Sequence, residues 1–289
     1  MKDEETPDSS SADRRTSQVS LLFIVMKIDI HTHCFPDELA ARALSVLVEN
    51  CGITPSSDGT ITGLKRSMSK AGVDVSVIQS IATKPGQTQA VNNWAARVQD
   101  DRILAFGSIH PGFEGWREEV ARLRELGIKG VKFHPDYQDF FVDDENAFPL
   151  YEEIARAGLI ILFHAGIDVG IPEPCHTPPD RLARVVKALP GARIVAAHMG
   201  GYRCWDGVEQ HLAGLDLFLD TSYGLGHMTR EQFLRLLEAQ GSERILFGTD
   251  SPWADQAREI AKLEELCLPA ETMQAIYSGN AERLLGIEG

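Results

Sequence analysis

The chain has no basic surplus: its 289 residues carry 28 Lys and Arg against 42 Asp and Glu, a formal net charge of −14. A nucleic-acid backbone needs a basic footprint on its partner, so this balance argues against DNA or RNA binding. Paired cysteines are missing too. Cys34, Cys51, Cys175, Cys204 and Cys267 are odd in number and no two are spaced as C-x-x-C. That reads as reduced thiols of a cytoplasmic protein rather than a disulfide framework. No apolar run approaches the ~18 residues of a membrane span. The apolar segment after Arg14-Arg15 is short and has no small-residue cleavage site, so a twin-arginine export signal is not expected. Residues 1–26, polar at their start and rich in Ser, Asp and Glu, read as a disordered extension ahead of one domain over 27–289.

What is present is a repeat of short apolar runs, at 28–31, 75–81, 103–109, 128–133, 159–163, 194–197, 217–219 and 245–247. Between them, stretches such as 116–126, 150–157, 181–189 and 231–239 place apolar residues at three- and four-residue spacing, as amphipathic helices do. Gly72, Gly127, Gly158 and Gly241 stand where helix C-caps would fall. Strand–helix units repeated this way force parallel pairing, because each helix returns the chain to the sheet's starting edge. A doubly wound sheet would show a glycine-rich phosphate loop after its first strand, but that run ends in HTHCFP. The pattern therefore predicts an α/β fold, a TIM (β/α)8 barrel.

In such barrels the reactive groups stand at the C-terminal ends of the strands. His31 and His33 end the first run, two residues apart and so on one face of a strand. His110 follows the third run, Lys132 and His134 end the fourth, His164 the fifth, His198 the sixth, Asp220 the seventh and Asp250 the eighth. A single buried histidine is most often satisfied by a backbone carbonyl. Three imidazoles and a carboxylate converging on one mouth match a catalytic zinc or a similar divalent ion. Residues directly after strand ends should wall the pocket: Asp136, Tyr137, Tyr202, Arg203, Trp205, Tyr223 and Trp253. Arg203 is an anion-clamp candidate, since guanidinium grips carboxylates bidentately, although a plain surface arginine fits equally well. Residues 168–179 are proline-rich and long enough to cover the mouth; His211 and His227 read as solvated.

The motifs HTH at 31–33, GVKFHP at 130–135, FHAG at 163–166, AHMGG at 197–201 and FGTDSPW at 247–253, in that order, resemble the amidohydrolase superfamily. With the ending YSGNAERLL at 277–285, the chain resembles the amidohydrolase-related branch that includes aminocarboxymuconate-semialdehyde decarboxylase. The resemblance implies His31, His33, His164 and Asp250 as ligands of one divalent ion, most simply zinc. It implies His198 close to the metal, polarising or protonating substrate, with Asp250 moving the proton of a metal-activated water. Lys132 would anchor a substrate carboxylate or, in two-metal members, carry a bridging carbamate. His134, Tyr137, Arg203 and Trp253 would complete the substrate pocket.

The expected function is metal-dependent hydrolysis of a small organic amide, lactone or ester bearing a carboxylate. The alternative on the same metal site is non-oxidative decarboxylation of an aromatic or unsaturated carboxylic acid. A TatD-type nuclease shares the barrel and the HxH, but Lys132 stands where those proteins are usually described with a glutamate, and the net charge disfavours DNA. A metal-free scaffold is disfavoured because every ligand position is filled. The resemblance leaves room for a homodimer, though no exposed stripe in the sequence marks its interface.

Overall fold

Eight strands take up the eight apolar runs: β1 (Ile28–Thr32), β2 (Val75–Gln79), β3 (Ile103–Phe106), β4 (Gly130–Phe133), β5 (Ile160–Phe163), β6 (Ile194–Ala196), β7 (Phe218–Asp220) and β8 (Ile245–Leu246). They belong to a computed structural model that describes residues 26–171 and 173–287; the extension expected over residues 1–26 lies, but for Met26, outside the described residues. Pairing is parallel throughout, in the orders β1-β2-β3 and β4-β5-β6-β7-β8. Two shorter seams join these arcs. Gly107 N donates to Gly130 O at 2.9 Å and Lys132 N to Gly107 O at 2.8 Å; across the other gap Ile30 N reaches Phe247 O at 2.9 Å and Asp250 N reaches His31 O at 2.8 Å. The ring is a barrel, as the repeat predicts.

The expected helices form as Trp116–Glu125, Phe148–Arg156, Pro179–Ala188 and Arg230–Gln240. None of the described helices is long and apolar enough to cross a membrane.

Alternation along the strands builds two cores. Ile28, Ile30, Val75, Val77, Phe106, Ile160, Leu162 and Val195 fill the barrel with Leu284 and Leu285. Ile78, Val131, Phe133, Ile161, Phe163 and Ile194 face outward under the helices. Each large aliphatic side chain so buried contributes about 1.5–3 kcal/mol. Gly130 is required by this packing, because a Cβ there would lie 2.6 Å from the Phe106 ring.

One irregularity decides where the histidines point. Asp29 pairs with Ser76, but Thr32 pairs with Ile78, so β1 spends three residues where β2 spends two. This bulge makes Ile30 and His31 successive inward residues. Without it, the parity that buries Ile28 and Ile30 inside the barrel would turn His31 and His33 out towards the helices. The bulged strand is held by Asp29, fully buried, whose Oδ2 accepts from Thr249 Oγ1 at 2.6 Å and from Gln256 Nε2 at 2.7 Å. Burial pushes the Asp29 carboxyl up to about 7, against the pull of those hydrogen bonds.

Candidate metal centre

His31 and His33 leave the bulged end of β1, and the β8–β1 seam brings Asp250 beside them. His33 Nε2 stands 3.1 Å and His31 Nε2 3.4 Å from the same oxygen, Asp250 Oδ1. The far nitrogens are anchored. His33 Nδ1 lies 3.0 Å from the Gln79 carbonyl and His31 Nδ1 2.9 Å from Asp220 Oδ2. A neutral ring carries one hydrogen; placed on Nδ1, against the Gln79 carbonyl in His33 and the Asp220 carboxylate in His31, it leaves both Nε2 lone pairs towards Asp250. Burial, reinforced by the Lys132 charge, holds the His31 imidazole well below its ordinary value, so His31 stays neutral. Acceptors facing a carboxylate oxygen at these distances call for a cation among them. His31, His33 and Asp250 offer donor atoms all within 4.8 Å of one another. Anchored imidazoles plus a carboxylate are what a divalent ion needs, and these residues fit one.

Lys132, fully buried on β4, reaches His31 Nε2 at 3.3 Å. Burial brings its ammonium down to about 8, against the opposing pull of Asp220, Asp250 and Asp168. The amine therefore has access to its neutral form, and an ion beside it would favour that form further.

His198 and Asp250 both sit at positive φ, 58° and 69°. Left-handed backbone at a non-glycine residue costs on the order of 1–3 kcal/mol and persists only where the surroundings impose it. Here they do: His198 N donates to Asp220 Oδ1 at 3.0 Å, and Trp205 Nε1 donates to His198 O at 3.0 Å. The ring's Nδ1 faces Ser222 O at 2.9 Å, which leaves Nε2 to accept from His164 Nδ1 at 3.1 Å. His164 Nε2 is consequently a lone-pair nitrogen, buried and without a partner. His164 does not lie in the His31–His33–Asp250 group. It stacks on His134, ring centroids 4.0 Å apart, and forms a second group with His134 and Asp168.

A family model described as amidohydrolase matches residues 28–287. The chain belongs to the amidohydrolase family. Among solved structures, an uncharacterized TIM-barrel protein from Bordetella bronchiseptica is 22% identical, with 90% of this chain and 98% of that one covered, at a TM-score of 0.72. A 5-carboxyvanillate decarboxylase from Novosphingobium aromaticivorans, with bound manganese, is 14% identical over 91% and 97% at a TM-score of 0.68. A protein from Pseudomonas putida named as a 2-pyrone-4,6-dicarboxylic acid hydrolase is 19% identical over 92% and 99% at a TM-score of 0.67. Decarboxylases and a hydrolase share this barrel, so the fold leaves the reaction open.

Above the centre of this amidohydrolase lies a cavity of about 760 Å³, walled by His134, Tyr137, Tyr202, Tyr223 and Trp253 among others. Arg203 departs from expectation. It is exposed, lies outside the cavity wall and carries its guanidinium 5.3 Å over the Tyr202 ring. Trp205 also lies outside the wall and serves His198 from behind. The segment after β5 is tied down by Asp136, whose Oδ1 accepts from His176 N at 3.0 Å and lies 3.0 Å from His176 Nδ1. His227 is exposed, as expected, and stacks one face on Tyr223 at 4.8 Å.

The sequence marks Asp220 only as an acid at a strand end, yet it fixes both sides of the centre. Its Oδ2 sets the His31 tautomer while its Oδ1 holds the His198 and Ser222 amides, each at 3.0 Å. Asp220→Asn keeps the shape but can turn an amide donor to His31 Nδ1, moving the ring hydrogen to Nε2 and removing the lone pair. We expect metal affinity to fall about 10–100-fold, the scale for loss of such outer partners. Competition with a chelator measures it, and an unchanged affinity would show that Asp220 does not set the tautomer.

Proposed function

We propose that this amidohydrolase uses one divalent ion, zinc in the first instance, to hydrolyse a small organic amide, lactone or ester that carries a carboxylate. The observation that supports it is the convergence of two anchored imidazoles on one buried carboxylate oxygen. Nitrogen and carboxylate donors suit zinc, and the Novosphingobium structure shows manganese on a related barrel. His31, His33 and Asp250 would hold the ion, with His164 as fourth donor through its unpartnered Nε2. When bound, the ion supplies Lewis acidity, which makes water a competent nucleophile near neutral pH and polarises a carbonyl.

The chain's own groups supply the rest. Asp250 engages the imidazoles through Oδ1 only, and its side chain is 12% exposed on the cavity. Its Oδ2 is thus placed to take a proton from the attacking water and return it to the leaving group. His198, once released from His164 and carrying a proton on Nε2, would donate it to the carbonyl oxygen and so stabilise charge there. Lys132 stands at the cavity floor, where its ammonium form would meet the substrate carboxylate, with His134, Tyr137 and Trp253 beside it. All five cysteines are free, which supports a reducing, cytoplasmic setting.

The test combines metal content with a substrate panel of lactones, amides, esters and aromatic carboxylic acids. Hydrolysis with one metal per chain is expected; carbon dioxide release from an aromatic acid, without hydrolysis, would make the protein a decarboxylase on the same site. Lys132→Met separates its two roles. As a carboxylate anchor its loss should raise KM about 10–100-fold with kcat little changed, the scale of a hydrogen bond to a charged group. Two metals in the wild type and one in the variant would instead make Lys132 a carbamate bridge.

A further inference from the structure

Among the described residues three large apolar side chains stand exposed, Leu39 and Val46 at 51% and Val169 at 40%, and all three line the cavity above the metal centre. Scattered exposed apolar residues are ordinary, but a set gathered on one cavity rim marks a binding surface. Two helices build most of it. The helix Asp37–Cys51 buries only Ala40 and Leu44. Its Leu39, Val46 and Leu47, at i, i+7 and i+8, form a separate stripe along the cavity. The helix Thr88–Val98 buries Thr88, Asn92 and Ala95, while Val91 and Trp94 line the same cavity. Barrel helices ordinarily turn their apolar stripe to the strands. The first buries one alanine and one leucine, the second Thr88, Asn92 and Ala95, and both keep much of their apolar surface for the pocket.

The cavity is therefore divided. Its floor carries His31, His33, Lys132, His134, His164, His198 and Asp250, and its outer wall is mostly apolar, interrupted by Arg42, Asn50 and Gln87. At about 760 Å³ it falls within the ~300–1,000 Å³ of pockets that enclose drug-sized ligands. A one-ring substrate held at the floor would leave the outer wall facing water. We propose that the substrate carries, beyond its reacting carbonyl or carboxylate head, an extended apolar arm of several carbons that lies between these two helices. This substrate class rests on the proposed function for the position of the head only.

Calorimetric titration with straight-chain alkanoic acids, butanoate to octanoate, reads the arm without turnover. We expect affinity to rise about two- to fourfold per methylene, the scale of burying one CH2. Val46→Glu, a change at a half-exposed helix position, should flatten that slope. A flat slope in the wild type, or an equal slope in Val46→Glu, overturns the proposal. So does a solution dimer that Val46→Glu dissociates while the slope is flat, because the face would then be an interface between copies. A rising slope with no ester, amide or lactone hydrolysed would keep the arm and discard the reaction; hydrolysis with a flat slope would do the reverse.

Discussion

His33→Ala should lose bound metal and activity together, with the rate falling by about 10³ or more, the scale of several kcal/mol of charge stabilisation that such an ion supplies. The side chain is 12% exposed and its removal leaves the backbone seam intact, since His33 N still donates to Ser251 O. Folding is thus spared while the donor set shrinks. With His33 gone, only His31 and Asp250, 3.4 Å apart, remain of the group that converges on one oxygen, and His164 stands outside that group, so the ion is held far less tightly. Elemental analysis of the purified variant beside a melting curve decides the matter. A full equivalent of metal in a folded His33→Ala protein would remove His33 from the ligand set.

The barrel was legible because each strand is a short apolar run closed by a polar residue, and the helices between carry a clear 3.6-residue period. The β1 bulge was not. Strict alternation places His31 and His33 on one face, but the same alternation puts Ile28 and Ile30 on the other, and only pairing with β2 shows an extra residue letting both sets point inward. Asp29 gave a faint signal, an acid inside an apolar run, since a buried carboxylate needs partners and those partners lie more than two hundred residues away at Thr249 and Gln256. The grouping of His164 with His134 and Asp168 could not be read from strand ends, which fix the ring but not side-chain rotation. Arg203 failed for a related reason: following a strand end places a backbone near the mouth, while the side chain went to an aromatic face outside it. The apolar half of the pocket lay in the helices Asp37–Cys51 and Thr88–Val98, whereas loops after strands had been expected to build the walls.

His198→Ala should separate catalysis from metal binding. The residue meets the His31–His33–Asp250 group through ring packing, 5.3 Å between the centroids of His198 and His31, and through the Ser222 hydroxyl, 3.0 Å from Nδ1 of both rings. It offers no atom to that group's donor set, so metal content should stay near that of the wild type. The backbone should hold as well, because the bonds from His198 N to Asp220 and from Trp205 to His198 O do not involve the imidazole. What disappears is the one ring that bridges the two histidine groups, with Nδ1 on Ser222 O and Nε2 on His164. If that ring stabilises charge developing on the substrate oxygen, kcat should fall about 10²–10³-fold. KM should change far less, since an interaction made only in the transition state leaves ground-state binding alone. Removing the acceptor also frees His164 Nδ1, so an alternative role is visible in the same experiment. Should His198 serve only to orient His164 towards the ion, metal affinity would drop in parallel with the rate, and His198 would be a positioning residue instead of a catalytic one.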